Sequence, residues 1–384
     1  MKKIFVQIAS YRDSELRHTI NNCLQQAKYP ERLTFGICWQ YDELTFTDLD
    51  IYQTDPRFRI SQIYYRESQG CCWARNKTNR LYENEEYTLQ IDAHTRFTED
   101  WDEVCINMLE AIDYHKPILT TYPAPYTQVD GLEVLHRDRG IQRLKVDKFR
   151  RNLTIKQSTI NVDDTTTPGK SPLIAAGLIF TLGKFCREVE YDPQMYFLGE
   201  EISLAARAYT AGYNFYYPNK DLVWHLYQHQ MPLHWTDHHN IQSDSNSKAI
   251  SRLQALLLDN HEILGCYGLG KTRTLKQFEE YVELNFHERF NSAREPGRFC
   301  RTIDLETQGI EQRGDYLFWI FSLLNDDDEE LYRLDITDQD ILLKRKQILE
   351  VDTKLIDRAS SYMLWPNSSE HGFHDKRFCK ISLD

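Results

Sequence analysis

Residues 87–101 read YTLQIDAHTRFTEDW. This stretch begins with an apolar run that predicts a buried strand ending at Asp92. Helix signals follow at once. Thr98 is a candidate N-cap, and Glu99 and Asp100 would lie in the first helical turn, where acidic side chains are favoured. A buried strand that leads directly into a helix is typical of an α/β protein.

The same alternation of strand and helix patterns runs through the first third of the chain. Strand patterns cover residues 4–9, 33–39, 59–65, 87–91 and 117–122, and helix patterns cover residues 14–27, 73–82 and 101–112. This order predicts an α/β fold with a mostly parallel central sheet and helices on its faces. Ligands bind such sheets at the carboxyl ends of the strands. Further along, the patterns predict a polar hairpin over residues 131–156 and one strand over residues 214–227.

The pattern of apolar and polar residues changes after about residue 300. Residues 316–324 form a long apolar strand pattern, an acidic turn follows, and the next apolar residues can pair back. We therefore predict one large α/β domain over residues 1–275. Residues 276–384 are expected to form a linker and a small C-terminal module that contains β-strands.

Composition excludes several classes of protein. The chain has 384 residues and a formal charge of -12, which disfavours nucleic-acid binding because phosphate neutralisation needs a basic face. No apolar run is long enough for a transmembrane span. Nine cysteines without Cys-x-x-Cys spacing suggest a reducing compartment, so we expect a cytoplasmic protein.

Asp92 and His94 lie two residues apart at the end of the predicted strand. In a strand, residues i and i+2 point to the same side, so a carboxylate oxygen and an imidazole nitrogen can converge on one divalent cation. This mixed ligand set suits Mn²⁺, among other metals. Two protein ligands leave coordination positions open, as a metal that also holds substrate phosphates requires. The alternative is a solvated strand end that carries both residues without a ligand.

An Asp-x-His motif after a central strand resembles the metal motif of nucleotide-sugar glycosyltransferases with the GT-A fold. The chain is similar to the cytoplasmic GlcNAc-transferases that modify hydroxyproline on a ubiquitin-ligase adaptor, and to their bacterial relatives. It resembles the polypeptide GalNAc-transferases more distantly. The resemblance covers residues 1 to about 275 and rests on the order and spacing of the segments IFVQIASYRD, YPERLTFGICWQ, GCCWARN, QIDAH, AAGLIF, YDPQMYFLGEE, VWHLY and YGLGKTRT.

This resemblance implies a GT-A catalytic domain and a retaining, metal-dependent glycosyltransferase. The implied donor is a UDP-sugar, first of all UDP-GlcNAc, and the implied acceptor is a hydroxyl on a glycan or a protein. The implied cofactor is Mn²⁺, with Mg²⁺ as the alternative. The GalNAc-transferase lectin domain has no counterpart here, so that group does not indicate the acceptor. Two alternatives stay open. One is a transferase that uses UDP-Gal, UDP-GalNAc or UDP-Glc in bacterial polysaccharide synthesis, and the other is a non-catalytic glycan-binding protein.

The resemblance also implies roles for individual residues, which belong to a metal site, a nucleotide site and a catalytic site. These residues are Asp92, His94 and His225 for the metal, Ser10, Tyr11, Arg12, Arg75 and Asp92 for the nucleotide, and Glu200 with Asp92 for catalysis. Glu200 would lie near the sugar and the acceptor, and we do not assign it as a nucleophile.

Two further patterns have competing interpretations. Residues 265–272, GCYGLGKT, fit the P-loop pattern. However, a predicted helix precedes them and too little chain follows for an NTPase domain, so we interpret them as a turn that closes the large domain. Residues 137–156 contain eight Lys or Arg and two Asp. Such a run is usually a solvated hairpin face, and beside an active site it can bind an acidic acceptor or an anionic surface.

Overall fold

The computed structural model describes most of the chain. The described residues are 1–45, 49–129, 132–137, 139–149, 153–163, 165–228, 232, 234–237, 242–258, 261–287, 290–291, 300–307, 309–311, 313–337 and 346–381. The chain divides into two compact units. One consists of residues 1–145 and 157–278, and the other of residues 146–156 and 279–384.

The first part of the chain alternates strands and helices. Its strands are β1 (Ile4–Tyr11), β2 (Leu33–Tyr41), β3 (Phe58–Tyr64), β4 (Tyr87–Asp92), β5 (Thr95–Phe97), β6 (Pro117–Thr120), β7 (Ala124–Val129), β8 (Leu132–Leu135), β9 (Gln142–Phe149), β10 (Ile155–Asn161), β11 (Gly169–Lys170), β12 (Leu178–Leu182), β13 (Asn214–Tyr217) and β14 (Val223–His225). Its helices are α1 (Leu16–Gln26), α2 (Cys71–Asn79), α3 (Trp101–Glu110), α4 (Phe185–Glu188), α5 (Glu200–Thr210), α6 (His234–Asp237), α7 (Gln242–Leu257) and α8 (Leu275–Val282). Among the described residues, no helix combines the length and the apolar character needed to cross a membrane.

Eight strands form the central sheet, in the order β11-β13-β6-β12-β4-β1-β2-β3. The four strands β4, β1, β2 and β3 are parallel, as the sequence predicts. Ile8 of β1 lies in register with Ile37 of β2 and Ile91 of β4, and all three side chains are buried. Both faces of a parallel sheet are covered, which explains why these strands read as continuous apolar runs.

The other half of the sheet differs from the prediction. Strand β12 runs antiparallel to both β4 and β6, and β11 runs antiparallel to β13, although β13 and β6 are parallel. The sheet is therefore mixed: the strands from β4 to β3 and the pair β13–β6 are parallel, and the other neighbouring strands are antiparallel. Strand direction depends on how the chain returns to the sheet, and local apolar patterns do not reveal it.

A second, four-stranded sheet has the order β5-β14-β7-β8. Its strand β5 ends directly before Thr98, and the prediction of Thr98 as N-cap is wrong. Helix α3 begins at Trp101, and Asp100 stands at its N-cap position with a φ of 56° and no side-chain cap. Pairing of β5 with β14 outweighs the local helix signal, and the backbone N–H of Thr98 donates to Leu222 O at 3.1 Å.

Two other strand predictions need correction. Residues 214–227 form two strands, β13 and β14, which belong to different sheets. The turn at Pro218 separates them, because proline cannot donate a ladder hydrogen bond. The single hairpin predicted over residues 131–156 is also wrong for the described part of that stretch: β8 pairs with β7, and β9 pairs with β10. Residues 131, 138 and 150–152 lie outside the described residues.

The unit that contains residues 279–384 is built mainly of strands. These are β15 (Leu284–Asn285), β16 (Phe290–Asn291), β17 (Cys300–Glu306), β18 (Tyr316–Leu324), β19 (Glu330–Ile336), β20 (Lys346–Asp352), β21 (Ser361–Ser368), β22 (Gly372–Phe373) and β23 (Arg377–Lys380), with the short helix α9 (Thr353–Ile356). Strand β18 is central and pairs with β19 and β21. Its core includes Trp319, Phe321, Tyr362 and Leu364. The expected small module with β-strands matches this architecture.

Candidate active site

Asp92, His94 and His225 converge at the carboxyl end of β4. Each offers one ligand atom, and these atoms all lie within 4.8 Å of one another. Nε2 of His225 is 3.0 Å from Nε2 of His94 and 3.1 Å from Oδ2 of Asp92. An octahedral cation with ligand distances of about 2.1 Å separates neighbouring ligand atoms by about 3 Å. The residues present therefore fit a single divalent cation.

Pairing between β5 and β14 brings the third ligand to the first two. His225 stands opposite Thr95 in this ladder, and the backbone N–H of Leu226 donates to His94 O at 3.1 Å. The buried Thr19 hydroxyl fixes the turn between β4 and β5, because it donates to Ala93 O at 2.7 Å. His94 lies in this turn and not in a continuous strand. Asp92 and His94 thus converge through a turn and a second sheet, and the expected side-by-side placement in one strand was wrong.

Asp13 fixes the ring of His94. Its Oδ2 lies 2.8 Å from Nδ1 of His94, and its Oδ1 accepts the backbone N–H of Glu15 at 2.9 Å. An ionised carboxylate only accepts hydrogen bonds, so Nδ1 of His94 must carry the proton in this contact. The lone pair of Nε2 then faces His225 and Asp92. This is the arrangement in which an outer carboxylate orients a metal-binding histidine.

Charge and burial oppose each other at Asp92 and His94. Burial alone would raise the pKa of Asp92, but the hydrogen bond with His225 and the charge of Arg75 outweigh it and hold that pKa well below its usual value. Burial would lower the pKa of His94, but the contact with Asp13 raises it above its usual value. A proton therefore competes with any cation for His94, so we expect cation binding to weaken at low pH.

Arg75 joins Asp92 to Glu200. This arginine extends from α2, and its Nη2 donates to Oδ1 of Asp92 at 2.9 Å. Its Nη1 donates to Oε1 of Glu200 and to the hydroxyl of Tyr191. Burial raises the pKa of Glu200, and the charge of Arg75 opposes that rise. The three side chains form one network at the edge of the sheet, in which Arg75 and Glu200 are buried and Asp92 is partly exposed.

Glu201 forms a second buried carboxylate site next to Glu200. Its Oε2 accepts hydrogen bonds from the hydroxyl of Tyr122 at 3.0 Å and from Nε2 of Gln157 at 2.6 Å. Its Oε1 accepts the backbone N–H of Ala176 at 3.0 Å. Burial raises the pKa of Glu201 to about 7. This side chain therefore holds the loop before β12 in place beside the site.

Strand β1 ends with Ser10 and Tyr11 on the same edge of the sheet, and Arg12 follows directly. The hydroxyl of Tyr11 and Nη1 of Arg12 both donate to Oδ2 of Asp237, at 2.7 and 2.8 Å. Arg12 also donates to Asp42 at 2.9 Å, and its φ of 50° turns the chain sharply after the strand. The Oγ of Ser10 is buried and has no hydrogen-bond partner among the described residues. It could accept or donate a hydrogen bond to a bound molecule.

Comparison with known proteins identifies the family. The profile of the family described as glycosyltransferase (GlcNAc) matches residues 3–55 and 50–288, which together are more than half of the chain. The chain belongs to this glycosyltransferase family. A comparison with curated proteins found no match.

One solved structure supports the fold of this glycosyltransferase, and a second shows a weaker likeness. The crystal structure of GalNAc-T7 with UDP, GalNAc and Mn²⁺ matches with a TM-score of 0.59 and 13% identity, over 100% of this chain and 80% of that chain. Residues 1–349 of TarS from S. aureus, in complex with UDP-GlcNAc, match with a TM-score of 0.46 and 14% identity, over 75% of this chain and 72% of that chain. The α/β, GT-A-type fold expected from the sequence is confirmed.

The P-loop-like turn of this glycosyltransferase is packed against protein backbone. A Cβ atom added at Gly270 would lie 2.3 Å from the backbone nitrogen of Ala211, and one added at Gly268 would lie 2.7 Å from His261 O. The backbone N–H of Gly270 donates to the hydroxyl of Thr210 at 2.8 Å. Gly270 therefore allows close packing against the end of α5, and Gly268 allows close packing against the carbonyl of His261. A phosphate cradle is not needed to explain these glycines.

Sequence analysis missed two side chains of this edge. Asp13 stands directly after Arg12 in the segment that signalled the nucleotide site, and Glu201 stands directly after Glu200. The only signal in the sequence for these two side chains was their position directly after predicted site residues. Their contacts join residues that are 81 positions apart for Asp13 and His94, and 79 positions apart for Tyr122 and Glu201.

Proposed function

We propose that this glycosyltransferase transfers GlcNAc from UDP-GlcNAc to a hydroxyl of a glycan or protein acceptor. The proposed reaction depends on a divalent cation, Mn²⁺ or else Mg²⁺, and retains the configuration at the anomeric carbon. One observation carries the proposal: Asp92, His94 and His225 offer a cation site beside the Arg75–Glu200 pair. The family description, which names GlcNAc, supports the choice of sugar.

The structural relative with the same fold supports the cofactor. The GalNAc-T7 crystal structure contains UDP, GalNAc and Mn²⁺. At 13% identity the likeness extends to the fold, so donor and metal enter here as proposals. When bound, the cation would stabilise the negative charge that develops on the leaving diphosphate. Asp92, His94 and His225 would hold it.

Protein side chains have separate proposed tasks. Arg75 holds Asp92 and Glu200 in fixed positions, so that the reacting groups meet a preorganised, charged surface. Glu200 accepts a hydrogen bond from the sugar or from the acceptor hydroxyl. Its Oε1 is already held by Arg75, which makes it a poor candidate for attack on the sugar. Ser10, Tyr11 and Arg12 are proposed to contact the uridine.

The proposed transfer exchanges one bond at the anomeric carbon for another. The bond between that carbon and the diphosphate oxygen breaks, and the electron pair leaves with the diphosphate. A bond to the acceptor oxygen forms on the same face of the sugar, and the acceptor hydroxyl passes its proton to the departing diphosphate. We place this reaction in residues 1–275, as the catalytic domain, and we propose an accessory role for residues 276–384. A cytoplasmic location also stays a proposal.

Hydrolysis of nucleotide sugars tests the proposal directly. A panel of UDP-GlcNAc, UDP-GalNAc, UDP-Gal, UDP-Glc and a GDP-sugar is incubated with the protein in Mn²⁺, in Mg²⁺ and in chelator, and the released nucleoside diphosphate is measured. We expect metal-dependent release of UDP from UDP-GlcNAc above the other donors. Preferred release from another UDP-sugar would correct the sugar alone. Equal release in chelator would contradict the metal dependence.

The stereochemical claim needs its own measurement. The anomeric configuration of the first product formed from UDP-GlcNAc is read from its anomeric proton coupling by NMR. We expect the α configuration of the donor in the product. A β product would refute retention and leave the donor assignment intact.

A further inference from the structure

A pocket of about 420 Å³ lies beside the candidate active site in the smaller sheet of the first unit. Strand β7, the segment after β8 and the segment after β14 form its walls. Its lining includes Tyr126, Thr127, His136, Arg139 and Tyr227. None of these residues has a part in the proposed donor site.

Tyr227 connects this pocket to the cation site. It follows His225 by two residues, and the centroids of the two rings are 4.3 Å apart. The hydroxyl of Tyr227 donates to Pro123 O at 2.9 Å, which fixes the ring, yet the side chain stays about half exposed. One side of the ring therefore touches a candidate metal ligand, and another part lines the pocket. A sugar stacked there would lie next to the proposed reaction centre.

The pocket has a positive lining. Arg139 and His136 contribute basic groups, and no carboxylate lines the pocket within the described residues. Nη1 of Arg139 donates to Pro123 O at 3.1 Å, and its Nη2 donates to the hydroxyl of Thr159 at 2.8 Å. These two bonds orient the guanidinium, and neither acceptor is a carboxylate. Burial raises the pKa of Asp221, and the charge of Arg139 opposes that rise. Among the described residues, Asp221 forms no ion pair with Arg139.

Two arginines near the candidate active site differ from Arg139 in their partners. Arg75 pairs with Asp92 and Glu200, and Arg96 pairs with Glu15 and Glu133. Within the part of the chain that the structure describes, Arg139 pairs with no carboxylate. A positioned guanidinium without a carboxylate is suited to bind phosphate or carboxylate by charge-assisted hydrogen bonds.

We propose that this pocket binds the acceptor, and that Arg139 selects a sugar acceptor that carries a phosphate or a carboxylate group near the reacting hydroxyl. The inference rests on the proposed function and names its acceptor class. The ring of Tyr227 packs against the acceptor sugar, and the acidic group contacts Arg139. The basic segment at residues 137–156 thus contributes one specific residue to recognition.

Matched acceptors test this proposal. The methyl glycosides of glucose, galactose and GlcNAc are each offered as the neutral sugar, the 6-phosphate and the 6-carboxylate, with UDP-GlcNAc as donor. We expect kcat/KM for an acidic member to exceed that of its neutral partner by at least about tenfold, because a hydrogen bond to a charged group contributes about 1.5–3 kcal/mol. The better acidic member tells whether phosphate or carboxylate is preferred.

Variants assign the preference to Arg139. Arg139→Gln is expected to bring the acidic and neutral acceptors to about equal kcat/KM, and Arg139→Lys is expected to restore part of the preference. The ratio is taken within each variant, so a general loss of activity cancels. Arg143→Gln removes a charge from the same basic segment and is expected to keep the wild-type ratio. Arg143 donates to Lys170 O, away from the pocket lining.

Binding measurements separate failure of this proposal from failure of the proposed function. Saturation-transfer NMR of the same glycosides with the UDP-bound protein should show acidic members binding, and Arg139→Gln should remove that binding. Equal rates for acidic and neutral members, no binding of any acidic member, or a preference that survives in Arg139→Gln would each overturn the acceptor proposal. Absence of UDP release from every donor would instead overturn the proposed function, and the binding measurement would still decide the role of Arg139.

Discussion

Replacement of Asp13 by asparagine should weaken cation binding without removing any cation ligand. Both partners of the Asp13 carboxylate are donors: Nδ1 of His94 at 2.8 Å and the backbone N–H of Glu15 at 2.9 Å. Asparagine offers one oxygen and one NH₂ group, so one donor loses its acceptor. If the NH₂ group faces His94, the ring must change tautomer, and Nε2 then presents a proton to the cation site.

Known effects of such outer contacts give the size of the change. Loss of a side chain that orients a metal-binding histidine typically lowers metal affinity by about 10- to 100-fold, or about 1.4–2.7 kcal/mol. We therefore expect the Kd for Mn²⁺ to rise about 10- to 100-fold in Asp13→Asn. The concentration of Mn²⁺ needed for half-maximal UDP release should rise by a similar factor. At saturating Mn²⁺, the rate of UDP release should recover most of its wild-type value.

Electron paramagnetic resonance of free Mn²⁺ measures this Kd without any need for activity. Asp55→Asn provides a matched control, because Asp55 pairs with Arg57 in the loop before β3. The control should bind Mn²⁺ as the wild type does. A folded Asp13→Asn protein with a wild-type Kd would refute the argument that Asp13 sets the His94 tautomer.

Three further changes test neighbouring parts of the site. His94→Ala should abolish metal-dependent UDP release, while the circular dichroism spectrum and the Tm without metal stay close to those of the wild type. Wild-type turnover in this variant would refute the role of His94 as a cation ligand. His115→Ala, at an exposed position, is the control. The stability of Glu201→Gln relative to the wild type should be higher at pH 8 than at pH 4.5. The pKa of about 7 for Glu201 in the folded state exceeds the ordinary glutamate pKa of 4.5. The folded state therefore binds more protons between these pH values, and wild-type stability falls as pH rises through this window. The gain is about 3 kcal/mol in urea unfolding, and equal stability differences at both pH values would contradict it. Gly177→Ala should raise the Kd for Mn²⁺ several-fold with less than about 1 kcal/mol lost in stability, because the new Cβ would lie 3.2 Å from Oδ2 of Asp92; an unchanged Kd would show that Asp92 can shift freely.

Local patterns were sufficient for the strands whose burial is continuous. Strand β2 was expected over residues 33–39 and spans Leu33–Tyr41, and β4 was expected over residues 87–91 and spans Tyr87–Asp92. Apolar runs mark such strands because both sheet faces are covered. The same patterns failed for β5, which is three residues long and exists because β14 pairs with it. Pairing partners distant in sequence leave no periodic signal in so short a segment.

The candidate site shows the same division. The sequence suggested that Asp92, His94 and His225 belong together, and the structure brings their ligand atoms within 4.8 Å of one another. The sequence analysis expected Asp92 and His94 to share one face of a strand, whereas a turn and a second sheet bring the three side chains together in the structure. The role of Asp13 was out of reach, because its contact with His94 depends on the tautomer and on the path of the chain after β1. The assigned roles of the nucleotide-binding residues stay predictions.

The ladder between β5 and β14 has a consequence for the cohesion of the protein. His94 and His225 are 131 positions apart, so a cation held by both would act as a cross-link that closes a long loop of chain. Such a link stabilises the folded state, because the cation binds the folded chain and the unfolded chain does not bring the two histidines together. The concentration of the cation would then affect the stability of the folded state as well as the rate of turnover. Removal of the cation by a chelator would therefore lower the free energy of unfolding of the enzyme.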